Sequence, residues 1–364
     1  MAAPRLVAAM SAGAFAAAVA ALRPLDAAAV AAATERQARL LKPAGSLGRL
    51  ESLSVLLAGL AGRCPAPVPA RPAVAIFAAD HGVVASGVTP WPSEVTRQMV
   101  AACCAGVSAS AVLARHAGAR HLSIDVGVLG ERLAPHPALW DRRVRAGSAD
   151  LAVGPALTAA DVAAALDVGA AVAAELVADG ADLLVTGEMG IGNTTPAAAV
   201  IAALTGASSA ACTGRGTGID DAMLAVKIAV IEGALARLPA APDPRRVLAE
   251  VGGLDIAALA GFVVGGAAAR VPVLVDGVIT LAATVAAVGL APACRAAIIA
   301  GHRSVEPGAS IALDALGLTS LVDLDLRLGE GSGALLAVPL VQAAARVLAE
   351  MATFDDVAVD DVAH

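Results

Sequence analysis

The sequence predicts an α/β fold, a parallel sheet with helices over both faces. Three observations carry that prediction. Short apolar runs of strand length recur between longer alanine-rich stretches of helical length. Two of these runs, 73–79 and 296–301, are apolar throughout, and those at 182–187 and 272–277 have unbroken apolar centres, as strands buried on both faces do. Each run also ends in a glycine or a polar residue, where an open parallel sheet presents its ligand groups.

In chain order, residues 1–60 read as helices. Arg5 and the apolar run behind it imitate a signal peptide, but no compact polar cleavage region follows and Arg23-Pro24 closes the run. It is therefore read as an alanine-rich helix. Residues 42–51, KPAGSLGRLE, form a loop entering a helix; Lys42 and Arg49 suit an anion there, and a structural turn fits equally. The run 64–72, CPAPVPARP, is a connector and a domain boundary. Strands are predicted at 73–79, 121–126, 182–187, 272–277 and 296–301, with an alternating one at 321–328. Helices are predicted over 93–117, 159–178, 219–237 and 254–269, and a second proline-rich stretch, 238–244, reads as a surface loop. Asp80, His81, Glu188, Asp276, His302, Arg303, Ser304 and Glu330 all follow strand ends. Each alone fits a helix cap or loop anchor. Together on one sheet edge they fit a shared site.

Composition narrows the classes. Hydrophobic residues make up 58% and mean hydropathy is +0.77, so a membrane protein has to be considered. Residues 271–294, broken only by Asp276, nearly have the length of a span. Their neighbours alternate strand and helix, however, and alanine supplies much of the apolar count. A protein without a membrane span is predicted. Five cysteines without metal-type spacing point to a reducing cytoplasm rather than a disulfide scaffold. A net charge of −7 without a basic block, and no tyrosine, argue against nucleic acid as a partner. The six histidines show no metal-ligand spacing, so no metal is predicted.

Two glycine-rich turns carry chemistry. In 186–196, TGEMGIGNTTP, Gly190 and Gly192 expose backbone N–H groups while Asn193, Thr194 and Thr195 are placed to cap a helix whose positive end suits a phosphate. The motif is neither GxGxxG nor a Walker A loop. In 214–220, GRGTGID, Gly216 sits in a second cluster before a helix, and Lys227 follows Asp220 by two turns on one face. Such a lysine is ordinarily solvated, but it is placed to reach a bound anion. The last strand surfaces at Gly329, leaving Glu330 between two glycines ahead of Ser332 and an apolar helix. That acid reads either as a cap at the helix's positive end or as a base at a pocket mouth.

Taken together, KPAGSLGRLE (42–51), FAADHGVVASGVTPWPSEVTRQMV (77–100), TGEMGIGNTTPAAA (186–199), GRGTGID (214–220), GHRSVEPG (301–308) and RLGEGSGA (327–334) resemble the nicotinate-nucleotide–dimethylbenzimidazole phosphoribosyltransferase family. The resemblance implies a homodimer with a doubly wound sheet in residues 66–335 and a small helical domain made from residues 1–65 and 336–364. It implies transfer of phosphoribosyl from nicotinate mononucleotide to 5,6-dimethylbenzimidazole or a related base. The products would be nicotinate and the α-ribazole 5′-phosphate of the cobalamin lower ligand, with no cofactor. Glu330 would be the general base; Glu188, Gly190, Lys227 and Ser304 would hold the nucleotide, and Gln98 would lie near the aromatic base. Gly301, where a more polar residue is expected, and Trp91 depart from the family pattern. The alternative is a non-catalytic nucleotide-binding regulatory protein, which would use the glycine turns without needing Glu330.

Overall fold

The computed structural model describes residues 13–357. Helices α1 (Ala14–Ala21), α2 (Ala27–Arg39) and α3 (Arg49–Ala61) precede β1 (Pro72–Ala79). Next come α4 (Glu94–Cys104), α5 (Ala109–His116), β2 (Arg120–Gly127), β3 (Leu139–Asp141) and α6 (Ala159–Ala178). β4 (Leu183–Met189) is followed by α7 (Thr194–Thr205), the single turn α8 (Ser209–Cys212), α9 (Asp221–Leu235), α10 (Pro244–Val251) and α11 (Leu254–Ala268). β5 (Val273–Val275), α12 (Val278–Leu290), β6 (Ile298–Ala300), α13 (Pro307–Leu316) and α14 (Ser332–Glu350) complete the order.

The six strands are all parallel, in the order β3-β2-β1-β4-β5-β6. Successive side chains of a strand face opposite ways. Ala73, Ala75 and Phe77 of β1 therefore join one apolar layer with α6, α11 and α12, while Val74 and Ile76 join another with α3 and α14. Apolar runs without alternation were the sign of this two-sided burial. Phe77 meets Phe262 of α11 edge-on, with ring centroids 5.3 Å apart. Helix α11 lies between the sheet and α6, buried at nearly every position. Gly169 and Gly261 let the two helices touch backbone to backbone; a Cβ on either would overlap a carbonyl of the other helix. Much of the high hydropathy is accounted for by such enclosed helices.

Two helical stretches among the described residues are long and apolar enough to cross a bilayer by length and composition, Glu94–His116 and Ser332–Glu350. The first is interrupted at Gly106, and the second packs on α3, β4 and β5. Residues 271–294 form β5, α12 and the start of a 3-10 turn, buried throughout from 271 to 287.

Residues 1–12, and with them the first half of the amino-terminal apolar run, lie outside the described residues; α1 begins where the Asp167 carboxylate accepts the Gly13 and Phe15 N–H groups. Helix α2 meets the end of α14: Arg36 donates to the Leu348, Ala349 and Met351 carbonyls, and Leu40 bridges Thr353.

Two expectations are corrected and one strand was missed. The 93–117 helix is two helices, because Gly106 turns left-handed and Ser108 caps α5. The predicted strand at 321–328 is an irregular segment whose one bridge joins Val322 to His302. It runs beside the end of β6 and the loop 301–305 that follows, and Asp325 turns left-handed, so no regular ladder forms. β3, only three residues long on the sheet edge, carried no sequence signal.

Candidate active site

The strand order reverses between β1 and β4, and the crevice at the carboxyl ends of those strands is where such sheets bind ligands. The turn leaving β4 enters α7 through Gly190, Ile191, Gly192 and Asn193. It lines a recess of about 40 Å³ with Thr194, Arg215 and Lys227. The Ile191 N–H is taken by the Thr96 hydroxyl at 3.0 Å. The Gly192 and Thr194 N–H groups carry no protein partner among the described residues. They lie at the positive end of α7, an arrangement suited to phosphate.

Lys227 of α9 is 1% exposed, against the ordinary expectation of a solvated lysine. Its Nζ donates to Thr194 Oγ1 at 2.7 Å and to the Gly214 carbonyl at 3.2 Å. Burial lowers its pKa to about 8, with Glu306 pulling the other way. Asp220 does not share its face: it is exposed and caps α9 through the Met223 N–H. Gly216, at φ 52°, packs on the Thr194 hydroxyl, and its N–H donates to Glu306 Oε1 at 2.9 Å. Ser304 is buried where its Oγ accepts the Glu306 N–H at 3.3 Å. Beyond this loop a cleft of about 430 Å³ opens between Leu224, Val305, Glu306 and Arg327, and Arg215 lines both hollows.

The acids lie on the other side of the β4 turn. Asn193 does not cap α7; its side-chain amide donates to Glu188 Oε2. Glu188 is fully enclosed, and burial, then the charges of Asp255, Asp276 and Glu330, push its pKa up to about 8 against the Asn193 bond. Residues 329–331 are all left-handed, with φ 90°, 61° and 78°. Glu330 is 2% exposed, and the Ser110 hydroxyl donates to its Oε2 at 2.8 Å. It does not cap α14. That helix start is held by Asp276, whose Oδ1 accepts the Ala334 N–H at 2.8 Å and lies 3.3 Å from His302 Nε2. Gly301 is small because a Cβ there would overlap Ala334, which accounts for its departure from the expected polar residue. His81 pairs with Asp255 at 3.3 Å; burial lowers its pKa, but Asp255 and Asp80 raise it further, for a net rise.

Gln98 lies on the exposed side of α4, whose Thr96 and Val100 turn inward; Trp91 is 47% exposed on the loop before it. Lys42 holds no free charge for an anion, because it pairs with Glu51 at 2.8 Å. Thr96, Ser110, His121, Asp255 and Glu306 were not found by sequence reasoning; of these only Glu306, ahead of a proline at a helix start, carried a local signal. Among the described residues no group of three or more His, Cys, Asp or Glu is placed to hold a metal.

The enclosure of Glu188 bears on stability. A Cβ at Gly329 would overlap the Glu188 carboxylate in a backbone conformation that L residues avoid. Gly329→Ala is expected to destabilise the fold by about 1–3 kcal/mol, readable as a lowered midpoint in urea unfolding. Separately, Glu188 in the folded chain keeps a proton that the unfolded chain releases above about pH 4.5. Its contribution to stability is complete below that pH and is lost as pH rises through about 8. Glu188→Gln keeps an acceptor for Asn193 and should flatten the decline between pH 5 and 8; a decline equal to the parent's would contradict the assignment.

A family model described as Phosphoribosyltransferase matches residues 22–359. The chain is 55% identical to a nicotinate-nucleotide–dimethylbenzimidazole phosphoribosyltransferase of Salinispora tropica, covering 93% of this chain and 97% of that one. It is 53% identical to one of Chloroflexus aggregans, covering 93% and 96%. The crystal structure of CobT from Thermus thermophilus superposes with a TM-score of 0.89 at 47% identity, covering 92% of this chain and 99% of that chain.

Proposed function

The chain belongs to the nicotinate-nucleotide–dimethylbenzimidazole phosphoribosyltransferase family, and on that premise we propose that it transfers phosphoribosyl from nicotinate mononucleotide to 5,6-dimethylbenzimidazole or a related base. The products are nicotinate and α-ribazole 5′-phosphate, which supplies the cobalamin lower ligand. The observation that carries this reading is one turn with two faces. Leaving β4, residues 190–194 and Lys227 form an anion recess, while Glu188 and Glu330 stand behind the same turn.

In this reading the 5′-phosphate takes the free N–H groups at the start of α7 and the Lys227 ammonium. Nicotinate leaves as a neutral pyridine, so no acid is needed on the leaving side. The incoming azole attacks C1′ with its free ring nitrogen from the opposite face, turning a β-glycosidic bond into an α one. As that bond forms, the N–H on the azole's other nitrogen becomes acidic. Glu188 keeps its own proton below about pH 8, which leaves the acceptor role to Glu330. Its carboxylate is held as an acceptor by Ser110. Positioning both substrates in line contributes up to about 7–11 kcal/mol. The working unit in this reading is a cytoplasmic homodimer, which sedimentation of the purified chain checks.

Incubation of the purified chain with both substrates should release nicotinate in step with the second nucleotide. Coupling constants at the new anomeric carbon should show the α configuration. Failure to release nicotinate, or a β product, would overturn the reading.

A further inference from the structure

Behind Glu330 runs a line of side chains that the transfer itself does not name. Ser110 of α5 is fully buried; its hydroxyl donates to Glu330 Oε2 at 2.8 Å and its N–H points at the same oxygen from 3.4 Å. The same hydroxyl lies 3.1 Å from Nε2 of His121 and 2.9 Å from Ser108 Oγ. Ser108 is occupied in capping α5, where it accepts the Ala111 N–H. His121, at the start of β2, is only half-buried, so the line runs from an enclosed carboxylate outward. We propose that Ser110 and His121 are positioning residues for the transfer, fixing the Glu330 carboxylate and passing the proton it collects outward to solvent. This rests on the reading of Glu330 as the base.

An enclosed acid must discharge its proton before the next turnover. In the charged state Ser110 donates to Glu330, and His121, in its Nδ1–H tautomer, offers Nε2 as a second acceptor for the same hydroxyl. When the azole N–H bond breaks, its electron pair stays on nitrogen and the proton binds Glu330. Glu330 then gives a proton to Ser110 Oγ while the serine's own proton passes to His121 Nε2. The imidazolium releases a proton to water, and the serine ends as it began. Burial, then the Arg115 charge on α5, hold the His121 pKa below its ordinary value, so it is neutral and able to accept. From α4, Cys103 faces the two serines and Glu330; burial pushes its thiol up to about 11, so it adds no charge. Cys104 faces Ser123 on β2 with its pKa likewise raised by burial, and Glu188 interacts with Glu330 from β4.

The test compares nicotinate release by the parent, Ser110→Ala, Ser110→Thr and His121→Ala, with and without imidazole in the buffer. Ser110→Ala should lower kcat by roughly 10–100-fold with the nucleotide KM within about twofold of the parent's. Ser110→Thr should keep most of the parental rate. His121→Ala should lose about tenfold and regain part of it as imidazole is added. Variants with parental kcat, or a His121→Ala loss that imidazole leaves untouched, would overturn the relay alone while the parent still releases nicotinate. A parent that releases none overturns the base assignment and the relay with it. If Ser110→Ala folds poorly, His121→Ala with imidazole decides the matter, because that side chain lies at the partly exposed end.

Discussion

Glu330→Gln is expected to cut turnover by roughly 10²–10⁴-fold while folding and nucleotide affinity stay near the parent's. The amide has the shape of the carboxylate and still accepts the Ser110 hydroxyl, so the left-handed turn at 329–331 keeps its bond across to α5. What it lacks is the capacity to take up a proton from the azole. The nucleotide's phosphate is proposed to sit in the recess by α7, which the substitution leaves alone. The loss should therefore fall on kcat with little change in KM for the nucleotide. The checks are nicotinate release at saturating base and the midpoint of thermal unfolding. Near-parental turnover would remove Glu330 from the mechanism. A larger loss in Glu188→Gln than in Glu330→Gln would transfer the role to Glu188, despite the proton it holds to about pH 8.

The core of the fold was legible because burial on both faces writes itself into the chain locally. The run at 73–79 is apolar regardless of what packs on it, and it becomes β1. The errors fell where a neighbour decides the outcome. Residues 321–328 alternate as a strand should, yet past Ala300 their neighbour, 301–305, is a loop, so Leu324 and Leu328 stay exposed. β3 is held by three pairings to β2 and by Trp140 packed against Arg120 and Arg142, contacts that its three residues do not announce by themselves.

The site divides in the same way. Acids after strands could be placed on one edge from order alone, because in a parallel sheet every carboxyl end lies on the same side. Their partners could not. Lys227 meets Thr194 across 33 residues, and Ser110 meets Glu330 across 220, so no window of sequence contains either pair. Asn193 shows the limit at short range. Its type and place suit a helix cap, but a buried carboxylate five residues earlier competes for the same amide, and Glu188 takes it.

Lys227→Met is expected to weaken nucleotide binding by roughly 10²-fold, the scale of one charge-assisted contact of about 3 kcal/mol. It is also expected to stabilise the ligand-free fold. The two effects share a cause. The lysine is 1% exposed and hydrogen-bonded only to a hydroxyl and a carbonyl, and Glu306 offsets just part of the burial, so its charge is costly until an anion arrives. Its pKa is 10.5 when unperturbed and about 8 in the fold, so the unfolded chain binds the extra proton between those values. The parent's stability should then rise with pH from about 8 to 10.5, and the advantage of the methionine variant should be full below pH 8 and fade above it. Binding has the opposite sign. A phosphate dianion needs the ammonium, so parental affinity should be strongest between the phosphate's second pKa of about 6 and the lysine's of about 8. It should fall above that, with proton uptake on binding that differs in calorimetry between two buffers. The methionine variant should show neither the fall above pH 8 nor the uptake. A variant that binds the nucleotide as tightly as the parent, with the same pH profile, would mean that this lysine only braces Thr194 and Gly214 and that the phosphate is held elsewhere.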